Sequence, residues 1–234
     1  MLITTSSALA DFCSDLRGVP YIAVDTEFMR ERTYRAELCL VQLCAPDLEA
    51  VAVDPLAEGM DLSPLFDVMS NPAVIKVFHA ARQDLEIFFQ LMGRVPAPLF
   101  DTQVAAMVCG FGEQVGFGTL AGTIARVSVD KSSQYSDWSL RPLSDRQLQY
   151  ALDDVIHLCT IFEALEENEP VIKKVKIGAN SLLSSPICKD AKVYEQAMRR
   201  LILLYTKRPM RAKRPRSIGT RSRKNTRSRS KSPL

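Results

Sequence analysis

The amino-acid sequence predicts a mixed α/β fold: one sheet of three antiparallel strands followed by parallel α/β units, with helices on both faces. Three apolar, strand-like segments follow one another with short links between residues 21 and 55, which favours an antiparallel meander. From residue 63 to residue 167, amphipathic helical segments alternate with short apolar strands, as in parallel α/β units. Residues 206–234 are basic and poor in apolar side chains, and they predict a disordered tail.

The N-terminal part of the sequence is predicted as one helix and three strands. The helix covers residues 6–18, with Ser6 or Ser7 as its N-cap and Gly18 at its end. The three strands are YIAVDTEF, ELCLVQLCA and EAVAVDP. A Pro-Asp-Leu sequence at residues 46–48 marks the turn between the second and the third strand.

The sequence then alternates between helices and strands. The helix SPLFDVMS precedes AVIKVFHA, a nearly continuous apolar strand of the kind found inside a sheet that is covered on both faces. A helix closed by Gly93, a short strand running into a helix (LFDTQVAAMVCG) and the helix GTLAGTIARV come next. The last helix begins after the N-cap Ser144, and its predicted apolar face consists of Leu148, Ala151, Leu152, Val155, Leu158 and Cys159.

Composition divides the 234 residues into three predicted parts: a folded domain over 1–168, a short helical extension over 169–205 and the tail over 206–234. The tail holds 12 of the chain's 30 Lys and Arg residues and none of its 27 Asp and Glu residues, which leaves a body with 18 basic and 27 acidic side chains. The sequence has no apolar signal region or membrane-spanning run, so we expect a cytoplasmic protein without a membrane partner.

The six cysteines do not predict a disulfide framework or a zinc site. None of them forms a Cys-x-x-Cys pair, and most lie in apolar periodic segments. They are typical of small buried side chains in a reducing compartment. With only two histidines in the chain, we expect no structural zinc.

Five polar residues at element boundaries are the candidates for chemistry. Asp25 and Glu27 lie two apart on a strand and therefore on one face, where like charges raise each other's pKa unless a cation lies between them. The pair alone is equally compatible with two solvated acids at a strand end. Asp84 opens a helix, where the helix dipole alone also favours an acid, and Tyr150 and Asp154 share one helix face at i and i+4.

Two other acids in these segments have structural explanations. Asp101 lies at a strand-to-helix junction, and we interpret it as an N-cap rather than a ligand. Asp153 is rotated about 100° from Asp154 around the helix axis, so we expect it to be solvated.

The order Asp-x-Glu, Asp, Tyr-x-x-x-Asp resembles the DEDD superfamily of 3′–5′ exonucleases, in the subgroup that carries a tyrosine. The neighbouring segments are similar to those of the ribonuclease D family. These segments are VDTEFMRERTY, VFHAARQDLEIF, FDTQVAA, GFGEQVGFGTL and SDWSLRPLSDRQLQYALDDV. The resemblance covers about residues 19–166 and implies a ribonuclease H-like sheet.

The resemblance implies a metal-dependent 3′–5′ exonuclease that releases nucleoside 5′-monophosphates from RNA 3′ ends, those of tRNA precursors among them. Its metal ligands would be Asp25, Glu27, Asp84 and Asp154, and Tyr150 would position the attacking water. Two divalent ions about 3.5–4 Å apart suit this hydrolysis, and hard oxygen ligands favour Mg²⁺ or Mn²⁺.

Candidate substrate contacts lie around these acids: Phe28, Met29, Arg30, Lys131 and Gln134. Phe28 or Met29 could wedge against terminal bases, but core packing explains them equally well. Arg30 shares a basic loop with Arg32 and Arg35, which suits phosphate contacts. Trp138 is predicted as a packing anchor.

The expected partner is RNA with a free 3′ end, and single-stranded DNA is the alternative, because no motif reads the 2′-hydroxyl. A non-catalytic RNA-binding protein is a third hypothesis, which the intact acids disfavour.

Ribonuclease D usually continues into helical substrate-binding domains, for which residues 169–234 leave no room. The basic tail therefore either replaces them or is the remnant of a reading-frame change, and the sequence carries no indication of oligomeric state.

Overall fold

The computed structural model describes residues 1–30, 35–112, 114–130 and 132–166. The predicted extension over 169–205 and the tail over 206–234 lie outside the described residues, as do Arg32 and Lys131. Within the described part, the predicted mixed α/β sheet with helices on both faces is confirmed. None of its helices is both long and apolar enough to cross a bilayer.

Six strands and six α-helices make up the described part of the chain. The strands are β1 (Leu2–Ile3), β2 (Tyr21–Met29), β3 (Glu37–Cys44), β4 (Val51–Val53), β5 (Ile75–Phe78) and β6 (Leu99–Asp101). The helices are α1 (Ser6–Asp15), α2 (Ser63–Ser70), α3 (Arg82–Met92), α4 (Thr102–Val108), α5 (Phe117–Ile124) and α6 (Asp145–Glu166).

The strands form one sheet in the order β1-β4-β3-β2-β5-β6. The pairs β2–β3 and β3–β4 are antiparallel, so the predicted meander is confirmed. The pairs β2–β5 and β5–β6 are parallel, as expected for the α/β units. β1, which pairs in parallel with β4, was not predicted because two residues carry no periodicity.

Alternate residues of β2 pack against two different helix layers. Ile22 and Val24 lie in a core cluster with buried residues of α1, α2 and α3. Tyr21 and Ala23 lie in a second cluster with buried residues of α4, α5 and α6. Because strand side chains alternate, Asp25 and Glu27 continue the second set and face α6.

Local capping is seen at the start of α1 and at the end of α3, and one predicted cap is wrong. The N-cap of α1 is Thr5, whose backbone is extended and whose side chain accepts a hydrogen bond from the Ala8 amide at 3.4 Å. The prediction of Ser6 or Ser7 is wrong because both residues already lie within the helix. Gly93 ends α3 with φ of 68°, the left-handed conformation that glycine adopts without strain.

Helix α6 positions two of the candidate residues over the sheet. Ser144 precedes it. The Gln147 backbone amide donates to the Ser144 hydroxyl at 3.3 Å, and the Ser144 backbone amide donates to Gln147 Oε1 at 3.0 Å. This reciprocal pair is a capping box, in agreement with the prediction of Ser144 as the N-cap. The predicted apolar face is buried or half-buried against β2 and β3, so Tyr150 and Asp154 lie at the sheet surface beside β2.

Candidate active site

Three carboxylates meet where β2 ends beneath α6. One ligand oxygen from each of Asp25, Glu27 and Asp154 lies within 4.8 Å of the others. Asp25 and Glu27 come from one strand face, and Asp154 comes from the helix that covers this face. The strand period of two therefore brings the two β2 acids together, and the packing of α6 adds the third.

Asp84 lies beside this trio, in the first turn of α3. Its side chain is 7% exposed and accepts a hydrogen bond of 2.5 Å from the Thr26 hydroxyl. Thr26 lies between Asp25 and Glu27 on β2, so this bond ties Asp84 to the same strand end. Burial raises the pKa of Glu27, and the charges of Asp25, Asp154 and then Asp84 add to this shift.

Burial shifts the pKa of every acid in the cluster upward. It raises the pKa of Asp25 from 3.8 to about 6, that of Asp154 from 3.8 to about 8 and that of Glu27 from 4.5 to about 9. Asp84 shifts in the same direction, first through burial and then through the charge of Asp25. Mutual repulsion adds to burial because like charges disfavour one another's ionised forms.

These residues fit a site for divalent cations. None of the ion pairs among the described residues involves an acid of this cluster, so no side-chain cation compensates it there. Carboxylate oxygens are hard ligands, which Mg²⁺ and Mn²⁺ prefer. A divalent cation would favour the ionised forms and remove the repulsion between them.

Tyr150 lies one turn before Asp154 on α6 and packs against Trp138, with their ring centroids 6.1 Å apart. Trp138 is 2% exposed, so its predicted role as a packing anchor agrees with its position. Burial and then the charge of Asp154 raise the pKa of Tyr150 above its ordinary value. The Tyr150 hydroxyl therefore stays protonated at neutral pH.

An arginine clamp that the sequence reasoning missed holds the loop before α6. The guanidinium of Arg141 forms a two-bond salt bridge with Asp54, with both N–O distances 2.7 Å. It also donates to the carbonyl oxygens of Trp138, Leu140 and Cys39. Trp138, and through it Tyr150, is thereby fastened to the sheet.

A cavity of about 300 Å³ opens next to the carboxylates. Its lining includes Asp25, Tyr150 and Asp154 together with His79, Phe117, Thr119 and Gln134. Gln134 is the predicted substrate contact that the structure brings to this cavity. His79, Phe117 and Thr119 were missed, although His79 directly follows β5, and a polar residue at the end of a buried strand is a usable signal.

Two other predicted substrate residues are largely packing residues. Phe28 is half-buried against the core cluster of α1, α2 and α3, and Met29 against the cluster that contains Trp138. Arg30 is exposed and forms an ion pair with Glu86 of α3 at 3.3 Å. Lys131 lies outside the described residues.

Asp101 and Asp153 are separate from the cluster. Asp101 is the N-cap of α4, where it accepts from the Gln103 amide at 2.9 Å and also from the Ala81 amide at 3.0 Å. The interpretation of Asp101 as a cap agrees with this geometry. Asp153 is half-buried and accepts a 2.7 Å hydrogen bond from Gln149, so the expectation of a solvated side chain was too simple.

Comparisons with known proteins identify the family of this domain. A family model described as 3′–5′ exonuclease matches residues 1–168. The chain belongs to the 3′–5′ exonuclease family. In this exonuclease domain, the acids that the sequence singled out are the ones that the fold gathers around the end of β2.

The exonuclease domain is similar to ribonucleases D. One from Jannaschia sp. (strain CCS1) is 60% identical over 166 residues, which are 70% of this chain and 43% of that protein. The Escherichia coli RNase D structure, described as an exoribonuclease involved in structured RNA processing, matches with a TM-score of 0.72 and 35% identity, over 86% of this chain and 50% of that one. Trypanosoma brucei RNase D in complex with the RNA U12 shares the fold, with a TM-score of 0.69 and 20% identity over 84% of this chain and 78% of that one.

These matches confirm the predicted resemblance to the catalytic domain of ribonuclease D. They also confirm the prediction that the domain is a nuclease, which is a class of hydrolase. The chain spans 41–43% of the length of the curated relatives that it matches.

Proposed function

We propose that this chain is a metal-dependent 3′–5′ exoribonuclease that releases nucleoside 5′-monophosphates from RNA 3′ ends. The observation that carries the proposal is the meeting of Asp25, Glu27 and Asp154 within 4.8 Å at the edge of a cavity that Tyr150 also lines. Membership of the 3′–5′ exonuclease family supports the direction of attack.

In this proposal, Asp25, Glu27, Asp84 and Asp154 hold two divalent cations, Mg²⁺ or Mn²⁺. The bound cations would supply an activated water and stabilisation of the leaving 3′ oxygen. The fold brings the carboxylates together before substrate binds, because Asp25 and Glu27 lie on β2 and Asp154 lies on α6. Thr26 keeps Asp84 in place by donating to its carboxylate.

Tyr150 orients the attacking water. Its raised pKa keeps the hydroxyl protonated, so it acts as a hydrogen-bonding group rather than as a base at neutral pH. The Trp138 contact and the Arg141 clamp hold its ring in place. The adjoining cavity, at about 300 Å³, lies at the lower end of the range for small-ligand sites and would receive the terminal nucleotide.

RNA is the proposed substrate because the ribonuclease D relatives at 53–60% identity share this domain. The 3′ ends of tRNA precursors are the substrate class that the family resemblance favours. The proposed compartment is the cytoplasm, and the five free cysteines of the described part support a reducing environment.

A matched assay on RNA and DNA oligonucleotides, each with a free or a blocked 3′ end, tests the proposal. We expect the full chain to shorten RNA with a free 3′ end, to release 5′-monophosphates, and to require Mg²⁺ or Mn²⁺. Undiminished activity in excess EDTA, or equal activity on blocked ends, would contradict it. Faster cleavage of DNA than of RNA would assign the site to DNA instead.

A further inference from the structure

Gln42 lies in the middle of β3 and has no solvent exposure, and its amide is unsatisfied. Among the described residues, both its Oε1 and its Nε2 are buried without a hydrogen-bond partner. Buried side-chain amides are nearly always hydrogen-bonded, because desolvation without a partner costs free energy. A wholly unpartnered amide in a strand centre therefore calls for a functional explanation.

The register of the sheet places Gln42 against the carboxylate cluster. Gln42 of β3 lies directly opposite Asp25 of β2 in the antiparallel pair. Residues directly opposite each other share a sheet face, with Cβ atoms about 4.5–5.5 Å apart. Gln42 is thus on the face of Asp25, Glu27 and α6.

Within the sheet, the other neighbours of Gln42 on this face offer little to an amide. Ala52 lies opposite it on β4, and Leu40 and Cys44 lie two residues away along β3. Alanine and leucine have no polar side-chain atom, and a thiol is only a weak acceptor. The Asp25 carboxylate is the strong acceptor among these nearest neighbours in the sheet.

We propose that Gln42 is a positioning residue for Asp25, whose carboxylate accepts a hydrogen bond from the Gln42 amide when the site holds a divalent cation. One Asp25 oxygen lies in the cluster with Glu27 and Asp154, and the amide holds the other oxygen. The carboxylate is then fixed in orientation, and the amide gains the partner that it lacks. Groups that orient metal ligands in this way typically change metal affinity or activity 10–100-fold when they are mutated.

This inference rests on the proposed function only for the identity of the site as a cation site. The test is therefore direct binding of Mn²⁺ alone to the full chain, measured from the electron paramagnetic resonance signal of free Mn²⁺. Melting temperature in EDTA is recorded for the same samples. The main variant is Gln42→Met, which keeps the length of the side chain and removes both polar atoms.

The matched control is Leu43→Met. It introduces the same side chain one residue along β3, and position 43 faces the opposite layer because Leu43 pairs with Val24. We expect Gln42→Met to raise the Kd for Mn²⁺ about 10-fold or more, with a melting temperature in EDTA equal to or above that of the wild type. Leu43→Met should leave the Kd within about twofold.

The Kd for Mn²⁺ and the melting temperature in EDTA together distinguish a positioning role of Gln42 from a structural one. A glutamine that only supported the fold would lower the melting temperature when replaced and would leave Mn²⁺ affinity unchanged in the folded fraction. Wild-type Mn²⁺ affinity in folded Gln42→Met overturns the proposal. Gln42→Asn provides a second variant that keeps an amide but shortens its reach, and wild-type affinity in that variant also overturns it.

The proposed function can fail separately. If the wild-type chain binds Mn²⁺ and degrades no RNA, the exoribonuclease proposal falls, and the Kd values of the Gln42 variants still decide the role of Gln42.

Discussion

Burial opposes the ionisation of four acids in the site: Asp25, Glu27, Asp84 and Asp154. Each has a raised pKa with burial as the first cause, and the charges of its neighbours add to the shift for three of them. Such a cluster lowers the stability of the fold without a cation and binds one strongly once ionised. Cation binding would therefore offset the free energy by which repulsion between the acids destabilises the domain.

Substitution of single acids tests the ligand set. We expect Asp25→Asn and Asp154→Asn to reduce kcat on RNA by at least about 100-fold, because each would remove one of the proposed charged oxygen ligands. Both variants should fold, since an amide is isosteric and relieves repulsion. Asp153→Asn is the matched control one residue away, where we expect a change of a few-fold at most. A near wild-type rate in either ligand variant would mean that the site is misplaced.

Glu27 links the stability of the domain to pH. Its pKa rises from 4.5 to about 9 on folding, so the folded state holds a proton that the unfolded state releases between these values. Ionisation of Glu27 therefore lowers the stability of the folded state. This destabilisation is absent below about pH 4.5, grows as the pH rises and is complete above about pH 9.

Glu27→Gln should therefore melt higher than the wild type at pH 8 in EDTA, by roughly 2–6 °C, and melt at the same temperature at pH 4.5. Thermal denaturation at the two pH values measures this. Excess Mg²⁺ provides the internal control, because it should stabilise the wild type more than the variant. A lower melting temperature for the variant in EDTA at pH 8 would contradict the sign.

At the scale of elements, the strand end and the loop before α6 shape the site. The pairing of β2 with β3 shifts register between Glu27 and Phe28, an irregularity of the kind that bends a strand and re-aims its side chains. The loop is held by Arg141, which binds Asp54 across 87 residues of sequence. These contacts set where the Tyr150 ring lies relative to the carboxylates.

We expect disruption of the Arg141–Asp54 salt bridge to lower catalytic activity because it would displace Tyr150. We expect Asp54→Asn to lower the free energy of unfolding by about 1–3 kcal/mol, because the guanidinium of Arg141 loses a charged partner that is 6% exposed. We also expect kcat to fall several-fold with little change in KM. Chemical denaturation and steady-state kinetics measure both.

Asp130→Asn is the control for this variant. It removes the partner of Arg146 in an exposed ion pair of 3.5 Å, which contributes little in water. Equal effects of the two substitutions would show that the Asp54–Arg141 pair is not a clamp for the site.

At the scale of the whole molecule, charge is divided unevenly. Residues 206–234 carry 12 positive charges, and the rest of the chain carries nine more acidic than basic side chains. A cation site in the acidic body would reverse the local sign where a polyanion has to bind. The tail supplies the only long basic segment of the sequence.

Removal of the tail tests whether it binds RNA. We expect a protein truncated after Tyr205 to have a higher KM for RNA, an unchanged kcat and a weaker dependence of kcat/KM on salt, because fewer phosphate contacts release fewer counterions. Kinetics of the full and the truncated chain at low and high salt measure this. Identical KM values and salt slopes would show that the tail does not take part in binding.

The sequence by itself determined the features that depend on local spacing. Asp25 and Glu27 had to share a strand face, Tyr150 and Asp154 had to share a helix face, and Gly93 had to end a helix, because backbone geometry fixes these relations within a few residues. The family resemblance added the roles of the acids, which spacing alone could not distinguish from solvated strand-end residues.

Only the tertiary structure decided which distant residues meet. The position of Gln42 opposite Asp25 depends on strand register, and the Arg141–Asp54 clamp and the placement of His79 and Phe117 at the cavity depend on how loops pack onto the sheet. Such contacts join segments through burial and hydrogen bonding in three dimensions. Local periodicity shows which face of an element is buried, but it does not show what that face is buried against.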